Sequence, residues 1–156
     1  MKRAGKYVAG AGAAVALAVA LIAPWEGEEL RAYRDIVGIP TICFGETRGV
    51  HMGDVATRAE CQTMLAKAVG EFEVKIRPCL PATLPEKTRA AFISAAYNIG
   101  SGAFCASSMS RKAKAGDLRG ACDALSLWNK AGGRVVRGLT NRRTAERELC
   151  LVGIKP

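Results

Sequence analysis

The chain has 156 residues, 49% of them apolar and 24% charged: enough for the core of one domain, too short for two, and too apolar to stay disordered. Its 23 lysines and arginines stand against 14 acids; three of the cations precede residue 7, and the remainder of the chain keeps a net charge of +6, a balance suited to polyanionic wall material or an anionic membrane surface. Nucleic acid is not an expected partner, because the sequence holds no zinc-finger spacing, RNP-type aromatic motif or basic helical run, and aromatics make up 6% of it.

In chain order, residues 7 to 25 (YVAGAGAAVALAVALIAPW) contain no charged residue and follow Lys2, Arg3 and Lys6. As a helix they would span roughly 28 Å at about 1.5 Å per residue, close to the hydrocarbon thickness of a bilayer. Ten of the nineteen are Ala or Gly, so the drive to insert is much weaker than for a Leu-rich span. The three preceding cations predict a cytoplasmic N-terminus and an exported body. Two other readings fit the same residues: a cleaved export signal processed at Ala18-Val19-Ala20, and an Ala-rich helix buried in the core. Residues 1–25 are expected to form a segment distinct from a folded body over residues 26–156.

The body is expected to be mostly helical. The spacing predicts a short helix over 26–33, followed from Asp35 to Val50 by a small strand-and-turn region broken up by Gly38, Pro40, Gly45 and Gly49. "TRAE" at Thr57 to Glu60 is a capping box ahead of Cys61, Met64, Leu65, Ala68, Phe72 and Ile76, which keep near-helical spacing. A second helix is predicted from Pro85 to Asn98, stopped by Gly100 and Gly102. Asp117 caps "LRGACDALSLW", Gly132-Gly133 break the chain, and Thr140 or Asn141 opens a last helix to about Leu151. A helical bulk with one small β element near its start is an α+β architecture.

Six cysteines, Cys43, Cys61, Cys79, Cys105, Cys122 and Cys150, all lie outside the apolar segment. No CxxC or ligand cadence is present and His51 is the single histidine, so no metal or other cofactor is expected. An even count in an exported body points to disulfides, whose pairing the sequence leaves open; Cys122 with Cys150 is the preferred pair, and a bridge at Cys43 would act close to Thr41.

The stretch "EGEELRAYRDIVGIPT" at 26–41 carries the candidate chemistry. On the predicted helix Glu26 shares a face with Leu30 and Tyr33, and a carboxyl group buried among apolar side chains holds its proton, as a general acid requires. Asp35 in a polar turn would stay ionised, and Thr41 could offer a hydroxyl from the opposite wall. Two carboxyls in unlike environments are the working parts of a glycoside hydrolase. Equally, Glu26 could be a solvated surface charge and Asp35 a turn residue.

Glu26-x8-Asp35-x5-Thr41 within "EGEELRAYRDIVGIPTICFG" resembles the catalytic signature of the phage-type lysozymes, glycoside hydrolase family 24. "AAYNIGSGAF" at 95–104 and "WNKAGGRVVRGLTNRRTAERELC" at 128–150 are similar to that family's later motifs. The resemblance implies a lysozyme-like α+β fold. It also implies N-acetylmuramidase activity on the β-1,4 bond between N-acetylmuramic acid and N-acetylglucosamine of peptidoglycan. Glu26 would be the acid, and Asp35 with Thr41 would activate water on the opposite face, with inversion. By the same resemblance Arg142, rather than Arg143, pairs with the acid, and Asn98 binds substrate amide or hydroxyl groups. Arg142 could instead be a surface arginine bonded to Glu146, and Asn98 a helix cap.

The apolar start ahead of this body resembles the signal-arrest-release endolysins. That resemblance implies an enzyme tethered through residues 7–25 to the host inner membrane, inactive with its body in the periplasm, then released there as an active monomer. No cysteine lies in this anchor, so activation would proceed by refolding. The rival class is a non-enzymatic membrane-active or wall-binding lysis protein, which would tolerate loss of Glu26. A transglycosylase, which would leave an anhydro product, is a nearer enzymatic rival, and the Asp35/Thr41 pair argues against it.

Overall fold

The computed structural model describes the backbone of residues 4–156 and the side chains from Gly12 onward. The order of elements is α1 (Ala4–Ile22), β1 (Glu29–Arg34), β2 (Pro40–Cys43), α2 (Arg58–Ile76), α3 (Glu86–Ile99), α4 (Ser101–Cys105), α5 (Ser108–Lys114), α6 (Leu118–Ala124), β3 (Lys130–Ala131), β4 (Arg134–Val135) and α7 (Arg137–Ile154). The bulk is helical. The β1–β2 pair forms a small antiparallel sheet near the start of the body, and β3–β4 forms a second, two-residue hairpin.

The core is built around α3. Its run from Ala90 to Ala96 is buried throughout, the pattern of a helix enclosed by neighbours rather than one with a wet face. Helices α1, α2 and α7 all pack on it. The small residues of α1 serve this packing: Ala14, Ala18 and Ile22, spaced by one turn, are fully buried. Among the described residues no helix is long and apolar enough to cross a membrane. The predicted span over 7–25 lies partly outside the described residues, since it includes the side chains of residues 7–11.

Three disulfides staple the body: Cys43–Cys61 ties β2 to the start of α2, Cys79–Cys105 ties the 3-10 turn after α2 to α4, and Cys122–Cys150 joins α6 to α7. With partners 18, 26 and 28 positions apart, each removes about 3–4 kcal/mol of chain entropy from the unfolded state.

Several expectations are corrected. Residues 26–33 are not a helix: Glu26 ends a 3-10 turn over Ala23–Trp25 in extended conformation, and the chain runs on into β1. Pairing with β2 overrides the local helical spacing, and Leu30 and Ala32 alternate with exposed Glu29, Arg31 and Tyr33. The last helix opens at Arg137, not at Thr140 or Asn141, because the chain leaves the β3–β4 hairpin directly into it with no side-chain cap. On α2 the capping box is present, with Thr57 N–H donating to Glu60 Oε2 at 2.7 Å. Its buried stripe is Cys61, Leu65, Val69, Glu73 and Ile76, which turns Ala68 and Phe72 toward a cleft instead.

Candidate active site

A cleft of about 550 Å³ lies between the β region and the helices, lined by Glu26, Phe44, Glu46, Arg48, Glu71, Phe72, Tyr97 and Asn98, among others. The β lobe supplies Phe44, Glu46 and Arg48, α2 supplies Glu71 and Phe72, and the last turn of α3 supplies Tyr97 and Asn98. Arg48 holds two walls together, its Nη2 at 3.1 Å from Glu46 and its Nη1 at 3.0 Å from Glu71. The side-chain hydrogen bond from Arg48 is the main reason the Glu46 carboxyl sits below its ordinary range.

Glu26 enters from the junction between the 3-10 turn and β1, its side chain 29% exposed. Tyr33 is 40% exposed, so the apolar pocket of Leu30 and Tyr33 that a helix would have built around Glu26 is absent. A cation from the far end of the chain replaces it. Arg142, buried on α7, donates from Nη1 to Glu26 Oε1 at 3.1 Å across 116 residues of sequence, a charge-assisted bond that fixes the carboxylate's position. Tyr97 titrates above its ordinary value, first through burial and then through the Glu26 charge, with Arg142 acting against both.

Asp35 opens the β1–β2 turn. Its Oδ1 accepts the backbone N–H groups of Val37 at 2.9 Å and Ile39 at 2.8 Å, and Gly38 supplies the left-handed conformation, φ +85°, that closes the loop. Thr41, buried in β2 opposite Tyr33, donates its hydroxyl to Ile39 O at 2.9 Å. Neither Asp35 nor Thr41 hydrogen-bonds to Glu26, and neither lines the cleft volume described above. Next to Thr41, Cys43 holds φ +60°, rare for a residue with a side chain, where the bridge to Cys61 anchors it.

Behind Glu26 lies a buried polar network that local spacing indicates only in outline. Glu146, fully buried on α7, accepts the Ser94 hydroxyl at 2.7 Å through Oε1 and lies 3.5 Å from Arg142 Nε and 2.9 Å from Arg143 Nε. Arg143 in turn donates from Nη2 to Asn98 Oδ1 at 2.8 Å. Asn98 thus faces the cleft with its carbonyl already bonded. Burial pushes the Glu146 carboxyl above its ordinary range against the pull of both guanidiniums and Ser94, and burial also lowers Arg143. Glu146 was visible only as the i+4 partner of Arg142. Ser94 gave a clearer signal, as the one hydroxyl in the otherwise apolar "AAFISAA".

The phage lysozyme family model matches residues 23–146. A SAR-endolysin of Bacteriophage PS119 is 40% identical over 149 residues, covering 91% of this chain and 89% of the relative. The chain belongs to the phage lysozyme family. Among solved structures similar to this phage lysozyme, a P22 lysozyme point mutant is 33% identical with a TM-score of 0.79, covering 86% of this chain and 94% of that one. The active form of the P1 phage endolysin Lyz is 26% identical with a TM-score of 0.77, covering 89% of this chain and 85% of that one.

Proposed function

We propose that this phage lysozyme is a signal-arrest-release endolysin: a peptidoglycan N-acetylmuramidase that lyses the host cell, with Glu26 as its general acid. The observation that carries the residue assignment is the grip of buried Arg142 on a partly exposed Glu26 inside the cleft. Glu26 delivers its proton to the leaving glycosidic oxygen as the C1–O bond breaks. Asp35 takes one proton from a water on the opposite face, whose oxygen bonds to C1. Asp35 Oδ1 is occupied by two backbone donors, which leaves Oδ2 as the base. The Thr41 hydroxyl spends its own proton on Ile39 O, so toward that water it acts as an acceptor. Two acceptors orient a water with its oxygen lone pair toward the sugar, and attack from that face inverts the anomeric centre.

The apolar start fits a releasable tether. Its Ala/Gly content lowers the cost of leaving the bilayer, and the face that would meet lipid includes Ala14, Ala18 and Ile22, which are buried in the body here. One helix face cannot occupy both places. The tethered form therefore lacks the α1–α3 packing that leads into Glu26, and is inactive with its body in the periplasm. Likeness to the active form of the P1 endolysin supports reading the docked arrangement as the released, active one.

The test is muropeptide release from purified peptidoglycan by the soluble protein and by Glu26→Gln. Muramic-acid reducing ends of inverted configuration from the first, and none from the second, are the expected result. Anhydro ends would indicate a transglycosylase. Equal cell lysis by both proteins without muropeptides would indicate a membrane-active protein and overturn the assignment.

A further inference from the structure

The buried contacts form one chain, Asn98–Arg143–Glu146–Arg142–Glu26, whose two ends line the same cleft and whose midpoint is a fully buried carboxylate. Arg142 and Arg143 are themselves 5% and 1% exposed, and Arg142 Nε and Nη2, Arg143 Nε and Nη1 and Glu146 Oε2 make no hydrogen bond among the described residues, so Glu146 holds both guanidiniums as ion pairs, at 3.5 and 2.9 Å. The arginines are held by few contacts, and Glu146 is the group that touches both. It is in turn fixed from α3 by Ser94.

We propose that Glu146 is a positioning residue for the glycosidic reaction: it fixes the guanidinium of Arg142 and takes up part of its charge, so that Arg142 orients Glu26 without forcing it to stay ionised. The proposal rests on the reading of Glu26 as the acid. A carboxylate beside an undivided buried cation favours its charged form, and a general acid must carry a proton. Arg142 lies between two carboxylates, with Nη1 toward Glu26 and Nε toward Glu146, and Arg143 supplies the balancing second cation. The groups that bear on Glu146 and its neighbour Glu26 are Arg142 and Arg143 from α7, Ser94 and Tyr97 from α3, and Asn98 through Arg143.

The experiment compares wild type, Glu146→Gln, Ser94→Ala and the double variant Arg143→Gln/Glu146→Gln in muropeptide release across pH, with thermal unfolding on each. Glutamine keeps the shape and removes the charge. Glu146→Gln should lower kcat by about ten- to a hundred-fold through misplacement of the Arg142–Glu26 pair, with KM changed less than about two-fold. Arg142 then acts wholly on Glu26, which favours the deprotonated acid. The alkaline limb of the rate profile should therefore move toward acid. Ser94→Ala withdraws a donor from Glu146 and weakens its charge, so the limb should move the same way by less. That variant carries the test if Glu146→Gln does not fold. A role confined to packing would lower the melting temperature and leave the limb of the folded enzyme in place. An unmoved limb in the folded variants, or wild-type kcat in the double variant, would overturn the proposal. Wild type without activity would instead overturn the muramidase reading on which it rests.

Discussion

Ile22→Ala tests whether α1 is part of the folded enzyme. Ile22 is fully buried at the end of the α1 face that also buries Ala14 and Ala18, and it stands four residues before Glu26. Removing three methyl-sized groups from a site closed on all sides costs about 2–5 kcal/mol, transfer and cavity terms together. A chain of 156 residues unfolds with an entropy of about 0.33 kcal/mol/K near 60 °C, so a loss of about 3 kcal/mol lowers Tm by about 9 °C. The assay is thermal unfolding of the released protein by circular dichroism, with the disulfides intact. Glu26 takes its position from the turn that follows Ile22, so muramidase activity should fall at temperatures below the onset of global unfolding. A Tm within about 2 °C of wild type, well under the smallest cavity cost, would refute the reasoning. It would mean that α1 lies off the body and that Arg142 alone places Glu26.

Two further outcomes are expected. The Thr57 backbone N–H and then its hydroxyl hold the Glu60 carboxyl below its ordinary 4.5; this contribution is present above the unfolded-state value and lost as pH falls through the lower folded one, so the gap in Tm between wild type and Glu60→Gln should close on acidification. A side chain at Gly153 would come within 2.7 Å of the Thr88 backbone nitrogen, where α7 crosses the start of α3, and Gly153→Ala should cost about 1–3 kcal/mol by urea unfolding.

The long helices were legible because their signals are local. The Thr57–Glu60 capping box and Gly100 at the end of α3 each act within one or two turns, whereas Gly102, expected to stop the same helix, lies inside α4. The opening stretch is ambiguous for the complementary reason. Glu26, Leu30 and Tyr33 stand at helical spacing, while Leu30 and Ala32 also alternate with Glu29, Arg31 and Tyr33, and six residues cannot choose between the two periods. The choice is made by β2 and by the bridge from Arg31 to Val55, partners that local spacing does not contain. In α7 the same logic runs in reverse: Thr140 and Asn141 are good caps, but the chain is already helical from Arg137 as it leaves the β3–β4 hairpin.

Glu26, Asp35 and Thr41 are legible as candidates from their spacing and family resemblance, but the surroundings of Glu26 are not. Leu30 and Tyr33 build no apolar pocket around Glu26; what holds its side chain is a cation on α7, with the fully buried Glu146 behind that cation. Neither is predictable from composition, since Arg and Glu on an amphipathic helix are surface residues by default. They are interior here because α7 lies against α3 with Ser94 facing it, and a buried charge is tolerable only when paired. This couples the site to the whole fold. Arg142 comes from the last helix and Glu26 from the turn that follows the first, and both of those helices pack on α3. On the proposed reading of Glu26 as the acid, holding α1 elsewhere would remove the turn that carries Glu26 to Arg142.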